Sequence, residues 1–170
     1  HITNERTSIL SSLNEEFIPS TLITVTTKKS SESYIPDLNA EDNIITKKEI
    51  KKCLEKTNPY FLNAVIIRTL PNSEEKKRRN YMKENSCFFS VEAISYLVSL
   101  GVKHLLVDTP SVDRLFDDGH LTAHNIFWET EKKKFNPKSR NKTITEMIYV
   151  ADSINDGQYL LNLQIPPFVS

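Results

Sequence analysis

Glycine is scarce in this sequence, with three residues in 170, and no Walker A, G-x-G-x-x-G, G-x-S-x-G or H-E-x-x-H motif is present. The first two motifs cradle phosphates and the last two mark serine hydrolases and zinc metalloproteases, so nucleotide-binding proteins and several common enzyme classes lose their main support. Cysteine is also scarce. Cys53 and Cys87 are too few for a disulfide framework and lack C-x-x-C spacing, so we interpret both as buried or incidental thiols.

Neither sign of charge is in excess, because 22 Lys and Arg residues balance 22 Asp and Glu residues. No global field therefore attracts nucleic acid or an anionic membrane. The longest apolar runs, such as 64–67 and 105–107, are far shorter than the roughly 20 residues that span a bilayer. We expect a cytoplasmic protein without nucleic-acid or membrane partners. A signal peptide lost from the region ahead of His1 is the alternative.

The hydrophobic pattern predicts one mixed α/β domain over residues 1–170. The apolar runs at 64–67 and 105–107 have the length and character of buried strands, and a β-branched strand is predicted at 22–26. Thr46 and Ser90 are each well placed to begin a helix, the second ending at Gly101. Strands and helices mix without regular alternation, and no repeat or second domain is visible.

Polar and charged segments separate these elements. We predict a surface loop at 28–43, a solvated loop or helix face at 74–79 and a lysine-rich surface insertion at 130–142. A strand-like pattern resumes at 143–150, and the last strand is predicted at 159–165.

Two groups of side chains have metal-ligand chemistry. His120 and His124 lie four residues apart, which on a helix would place both on one face, but this spacing also fits two surface or capping histidines. Four aspartates lack the glycine-centred spacing of a calcium loop, and a solvated acidic loop is the simpler interpretation. They are Asp108, Asp113, Asp117 and Asp118.

A longer pattern runs from Phe89 to Trp128. It comprises Ser90-Val91-Glu92-Ala93 at a helix start, the strand Gly101 to Leu106, the sequence D-T-P-S-V-D from Asp108 to Asp113, and Thr122-Ala123-His124-Asn125-Ile126. In order and spacing this pattern resembles the cyclase family of metal-dependent amidohydrolases, which includes kynurenine formamidase. Ile144-Thr145-Glu146-Met147 and the segment 157–166 are similar to the family's glutamate strand and the hairpin after it.

The resemblance implies a swivelling β/β/α fold and a divalent metal, zinc or manganese, bound by His124 and Glu146, with no organic cofactor. These two residues are 22 positions apart, wider than in the family, and the lysine-rich insertion accounts for the excess. Glu129 is the alternative acid. Three residues of the strand-end loop are expected to orient it, or its histidine, without binding the metal. They are Asp108, Ser111 and Asp113.

The family's main signature, H-x-G-T-H-x-D-x-x-x-H, is absent from this chain. His1, followed by Ile2-Thr3, resembles its last residue, which the resemblance implies is the general acid or base. An expression tag or an arbitrary first residue is the alternative. On this interpretation the domain is incomplete at both ends and lacks most of its N-terminal metal-binding segment.

The resemblance further implies an enzyme that hydrolyses an aryl-formamide or a cyclic amide, a C–N bond other than a peptide bond, with metal-activated water as the nucleophile. It also implies a small-molecule amide substrate and a homo-oligomer, a dimer or tetramer. Two alternatives remain open: a non-catalytic binding or scaffold member of the same fold, and a different hydrolase with Cys87 or Ser111 as nucleophile.

Overall fold

Parallel pairing of short apolar strands forms the centre of this protein. The computed structural model describes residues 12–13, 15–131, 133–134 and 136–165. The strands are β1 (Ile18–Thr26), β2 (Ile44–Ile45), β3 (Ala64–Leu70), β4 (Phe88–Phe89), β5 (His104–Val107), β6 (Thr143–Thr145) and β7 (Gly157–Leu161). The α-helices are α1 (Lys47–Leu54), α2 (Val91–Ser99) and α3 (Thr122–Phe127), and short 3-10 helices lie at Pro59–Leu62, Glu74–Arg78 and Pro137–Ser139.

The main sheet has the strand order β6-β5-β3-β1-β7. All neighbours are parallel except β7, which runs antiparallel to β1 along one side of the sheet. Ile23 pairs with Ile67, and Ile67 pairs with Val107, so the apolar runs of the sequence lie side by side. Burial on both faces is typical of parallel strands. The predicted mixed α/β class is confirmed.

Several strand boundaries differ from the predictions. β1 begins at Ile18 instead of Leu22 and β7 ends at Leu161 instead of Ile165. The strand predicted at 143–150 stops at Thr145, because Met147 has a φ of 58° and its N–H bonds to the Thr109 carbonyl outside any ladder. A left-handed residue interrupts extended backbone.

Side-chain caps define the two longer helices as predicted. The Thr46 hydroxyl accepts from the Glu49 N–H at 3.3 Å, and the Ser90 hydroxyl accepts from the Ala93 N–H at 3.0 Å. Gly101, with a φ of +78°, follows α2 in the left-handed conformation that favours glycine at a helix end. The three helices share one core with the sheet, built largely from aliphatic side chains: Ile23, Val25, Ile50, Leu54, Val65, Ile67, Ala93, Ile94, Leu97, Leu105, Val107, Ala123 and Phe127.

A second, two-stranded parallel sheet joins β2 to β4. Phe88 and Phe89 of β4 are both buried. Phe88 packs with Ile44 and Tyr34 in a small separate cluster. The segment 28–43 is a loop as predicted, but Tyr34 at its centre is only 3% exposed, so the loop is anchored by an aromatic residue.

In the part of the chain that the structure describes, no helix combines the length and the apolar character needed to cross a membrane. His1 lies outside the described residues. Cys53 and Cys87 are both free thiols.

Candidate metal centre

The carboxyl ends of β5 and β6 bring the candidate ligands together. These strands are parallel neighbours, so the segments that follow them meet at the same edge of the sheet. Asp113 lies in the loop after β5, and Glu146 follows β6 directly. His124 belongs to α3, the short helix reached from the same loop. Residues distant in sequence therefore converge at one edge, as parallel topology requires.

Asp113 holds both the ring and the backbone of His124. Its Oδ2 lies 2.5 Å from the His124 Nδ1 and 3.2 Å from the His124 N, and its Oδ1 accepts from the Ala123 N–H at 2.5 Å. The residue before α3, Leu121, offers no side-chain cap and has a φ of 49°. The carboxylate of the loop that precedes the helix thus satisfies N–H groups at the start of α3, a role that suits a negative charge at the positive end of the helix dipole.

The charge state of Asp113 defines which nitrogen of His124 is free. Burial raises the pKa of Asp113, but hydrogen bonds from the His124 ring, the Ala123 N–H and the Tyr34 hydroxyl outweigh it and hold that pKa below its usual range. An ionised carboxylate can only accept hydrogen bonds, so the proton of a neutral His124 ring must be on Nδ1. The lone pair of Nε2 is then available as a metal ligand.

Glu146 lies opposite this free nitrogen. Its Oε1 is 3.4 Å from the His124 Nε2 and accepts a hydrogen bond from the Val112 N–H at 2.9 Å. A separation of 3.4 Å is long for an N–H···O hydrogen bond. Two ligands bound at 2.0–2.1 Å to one tetrahedral zinc ion lie about 3.3 Å apart. The nitrogen and oxygen are therefore spaced as a ligand pair, and their chemistry fits zinc or manganese.

These two donors alone would make only part of a metal site. Over the described ranges, no group of three or more His, Cys, Asp or Glu side chains is arranged to hold a metal ion. Zinc centres in proteins use at least three protein ligands. A metal ion held by His124 and Glu146 would therefore require further ligands.

The other predicted candidates have different partners or surroundings. Glu129, the alternative acid, accepts from the Lys142 ammonium at 2.7 Å and the Ser139 hydroxyl at 3.1 Å. His120 is exposed and precedes α3, so it does not share a helix face with His124. The Ser111 hydroxyl accepts from the Asp113 N–H at 3.1 Å and so helps to shape the loop.

Asp108 belongs to a different cluster. Its carboxylate accepts from the Thr69 N–H at 2.8 Å and the Thr69 hydroxyl at 2.9 Å, and it forms an ion pair of 2.8 Å with Lys76. The side chains of Lys76 and Asp108 are 7% and 0% exposed. Asp108 thus ties the ends of β3 and β5 together. The segment predicted as a solvated loop or helix face at 74–79 contains a 3-10 helix over Glu74–Arg78, in which the Lys76 side chain is buried because a buried carboxylate requires a counter-charge.

A nucleophilic role for Cys87 or Ser111 has no support in the geometry. Burial, together with the charge of Asp108, raises the pKa of Cys87 to about 11, whereas a catalytic thiol needs a lowered pKa. The cavity that Cys87 lines, of about 120 Å³, is lined by Lys76 and Asp108, and no histidine of the described part of the chain lines it. The Ser111 hydroxyl is an acceptor for a backbone N–H rather than a donor to a base.

Sequence reasoning missed Tyr34, whose hydroxyl reaches Asp113 from the loop 28–43 at 2.9 Å. The available signal was an aromatic residue within an otherwise polar loop. The Trp128 ring lies beside the His124 ring, with centroids 5.4 Å apart, and the Trp128 indole N–H donates to the Lys142 carbonyl at 3.0 Å. Phe127 is buried in the core.

Comparison with known proteins gives one family and one fold. The Cyclase family, described as "Putative cyclase", matches residues 1–114, a range that ends before His124. A solved structure described as a "Potential Metal-Dependent Hydrolase With Cyclase Activity" superposes with a TM-score of 0.52 at 17% identity, over 87% of this chain and 56% of that one. A "predicted metal-dependent hydrolase from Bacillus stearothermophilus" superposes with a TM-score of 0.51 at 18% identity, over 86% and 55%.

At these identities the structural likeness shows the fold, and it confirms the cyclase-like architecture predicted from the sequence. The chain spans little more than half the length of both structures. Comparison with curated proteins finds no match.

Proposed function

Since this chain belongs to the cyclase family, we propose that it acts as a metal-dependent hydrolase with His124 and Glu146 among its metal ligands. The observation that carries the proposal is the 3.4 Å separation of the His124 Nε2 and the Glu146 Oε1, with Asp113 bound to the other ring nitrogen. A carboxylate behind a histidine is the usual support of a metal-ligating imidazole. Similar solved structures are described as metal-dependent hydrolases, which supports the same conclusion.

The proposed substrate is an aryl-formamide or a cyclic amide, cleaved at a C–N bond other than a peptide bond. When bound, zinc or manganese would supply Lewis acidity, which activates water as a nucleophile and polarises a carbonyl. Asp113 orients the imidazole of His124, the Val112 N–H orients Glu146, and Trp128 places an aromatic wall beside the histidine. An aromatic or cyclic substrate group could pack against the Trp128 ring, which is consistent with the proposed substrate class.

We propose His1 as the general acid or base. A neutral histidine can carry a proton to a leaving nitrogen near neutral pH. The expected result for His1→Gln is a loss of hydrolysis with bound metal retained, measured by turnover and metal content of the same preparation. Loss of the metal together with activity would instead make His1 a ligand.

The central test measures metal content and hydrolysis of N-formylkynurenine for the wild-type protein and for His124→Ala. We expect bound zinc or manganese in the wild type, with metal and activity lost together in the variant. His120→Ala is the matched control, because His120 is exposed and lies four residues away. A folded wild-type protein that binds no metal would favour the non-catalytic binding or scaffold alternative. Bound metal without formamidase activity would retain the site and direct the search to other cyclic amides.

Glu146 is tested separately, because its assignment depends on the length of the insertion before it. Glu146→Gln keeps the shape of the side chain and removes the charge, so we expect weaker metal binding. Glu129→Gln is the control, since Glu129 pairs with Lys142 instead. Equal metal binding by wild type and Glu146→Gln would exclude the assignment.

We also propose a homo-oligomer, a dimer or tetramer, with no nucleic-acid or membrane partner and a cytoplasmic location. Support comes from β7, the outer strand of the sheet as described, on which Leu160 is 63% exposed. Outer strands with exposed apolar side chains favour pairing with another chain. Light scattering of wild type and Leu160→Lys tests this, with a smaller mass expected for the variant.

A further inference from the structure

Tyr34 is held rigidly although it belongs to a loop. Its ring packs against Phe88 with centroids 4.7 Å apart, and the guanidinium of Arg114 lies 5.2 Å from its centroid. Arg114 in turn pairs with Asp42 of the same loop at 2.5 Å. The phenol is therefore presented to the candidate metal centre from a fixed position rather than from a mobile side chain.

The hydroxyl of Tyr34 has one proton, and its contacts show where that proton goes. The oxygen accepts from the backbone N–H of Arg114 at 3.0 Å and lies 2.9 Å from the Asp113 Oδ1. The Asp117 Oδ2 is farther away, at 3.5 Å, and already accepts from the Leu121 N–H at 2.6 Å. Tyr34 accordingly donates to Asp113. Burial and the charge of Asp113 raise the pKa of Tyr34, so the phenol keeps its proton.

The two carboxylate oxygens of Asp113 accept hydrogen bonds from different partners. Oδ2 accepts from the ring and the backbone N–H of His124, and Oδ1 accepts from the Ala123 N–H and the Tyr34 hydroxyl. Among the described residues, Tyr34 provides the side-chain hydrogen bond to Oδ1. Of the described residues that bond to the carboxylate, the others all belong to α3, the element that carries His124 itself. Tyr34 thus ties the Asp113 carboxylate to a second part of the protein, the loop 28–43.

We propose that Tyr34 is a positioning residue of the metal centre: acting through Asp113, it holds the His124 Nε2 toward Glu146. The inference rests on the proposed function, since it requires His124 to bind a metal. Loss of a partner behind a metal-ligating histidine typically costs 10–100-fold in metal affinity. Tyr34 is one hydrogen bond farther from His124 than Asp113 is. We therefore expect an effect at the lower end of this range, about a 10-fold increase in the zinc Kd.

The test compares the zinc Kd of the wild-type protein and Tyr34→Phe by competition with a chelator. The substitution keeps the ring against Phe88 and removes only the hydroxyl. Tyr60→Phe is the matched control, because Tyr60 is 67% exposed, and its Kd should equal that of the wild type. The visible spectrum of the cobalt-loaded protein gives a second readout, since a displaced imidazole changes the ligand geometry whereas a purely structural role leaves it unaltered.

Two further variants separate positioning from general anchoring of the loop. Lys28→Met removes the ion pair with Glu49 at the start of the same loop, a pair that includes neither Tyr34, Arg114 nor Asp113, and the zinc Kd should not change. In an Asp113→Asn background, Tyr34→Phe should have no further effect, because the residue it acts through has been altered. An undiminished effect of Tyr34→Phe in that background would contradict the proposed route.

Failure of this inference and failure of the proposed function give different results. A wild-type protein that binds no zinc removes the proposed function. Zinc bound equally well by wild type and Tyr34→Phe, with the same cobalt spectrum, overturns only the role of Tyr34. Affinities are measured well below the unfolding temperature of the weaker protein. A Tyr34→Phe protein that does not fold would also overturn the proposal, because it would make the hydroxyl a requirement of the fold.

Discussion

Asp108 and Asp113 lie in the same strand-end loop, and both are buried, yet they form two different kinds of cluster. Asp108 faces Lys76, whose ammonium also donates to the Thr69 carbonyl and hydroxyl, so all three of its protons are used. Asp113 faces His124, whose second ring nitrogen remains free. Lys76 neutralises a buried carboxylate and spends all its donors within the protein, which makes that cluster structural. His124 uses one ring nitrogen to bind the carboxylate and keeps the other available. The partner determines the function of the carboxylate.

The largest predicted effect breaks the structural cluster. Lys76→Met removes the cation and leaves the Asp108 carboxylate buried without a counter-charge. Breaking one side of a buried ion pair costs about 3–5 kcal/mol in the free energy of unfolding. Denaturant unfolding measures this, with Lys77→Met as control, because Lys77 pairs on the surface with Glu74. The zinc Kd of folded Lys76→Met should match the wild type; a large change would mean that the two clusters are coupled.

The next effect acts on the second cluster. Asp113→Asn keeps the size of the side chain but weakens its hold on His124 and on the start of α3, so the zinc Kd should rise 10–100-fold. The same change should lower the free energy of unfolding by about 1–3 kcal/mol, the usual cost of unsatisfied buried polar groups. Calorimetric zinc titration measures the first quantity. Asp118→Asn is the control, because Asp118 is exposed. Unchanged zinc binding in Asp113→Asn would remove the basis of the comparison.

A smaller, pH-dependent effect on stability comes from His104, whose partner is neutral, in contrast to the charged partner of His124. His104 contacts the Thr143 hydroxyl at 2.9 Å, and burial lowers its pKa below the usual 6.5. The unfolded chain then binds more protons than the folded one, so stability is complete above pH 6.5 and decreases as the pH falls through the window below it. His104→Gln should remove this slope. A wild-type stability that stays constant between pH 7 and the lowered pKa would contradict the prediction.

Asp113 contributes in a separate, more acidic window. Its folded pKa lies below the usual 3.8, so its stabilisation is present above pH 3.8 and is lost as the pH falls through the folded value. Asp113→Asn should therefore alter acid unfolding at low pH and leave the slope below pH 6.5 intact. Chemical unfolding over a pH series distinguishes the two windows.

The smallest predicted effect concerns Cys87, beside Asp108. With a pKa of about 11, its thiol is almost fully protonated at pH 8, so alkylation by iodoacetamide should be slow in the folded protein and fast in denaturant. Mass spectrometry of the peptides containing Cys87 measures the rate. Rapid alkylation of the folded protein would reopen the hypothesis of a nucleophilic cysteine.

Local signals in the sequence predicted much of the fold. The apolar runs at 64–67 and 105–107 are strands, and Thr46 and Ser90 begin helices, because caps and buried strands depend on adjacent residues. The limits of 143–150 were not predictable in this way. Met147 leaves the strand to bond with Thr109, a residue 38 positions earlier, and such a contact has no local signature.

The candidate site divides along the same line. Its residue types and their order along the chain, including His124, Asp113 and Glu146, were determined by the sequence alone, and so were the family and the mixed α/β class. Only the tertiary structure decided which carboxylate meets His124, that Glu146 rather than Glu129 faces its free nitrogen, and that Tyr34 and Lys76 are buried partners. The physical reason is that periodicity and capping act over a few residues, whereas hydrogen bonds between side chains from different loops depend on how parallel strands bring their carboxyl ends together.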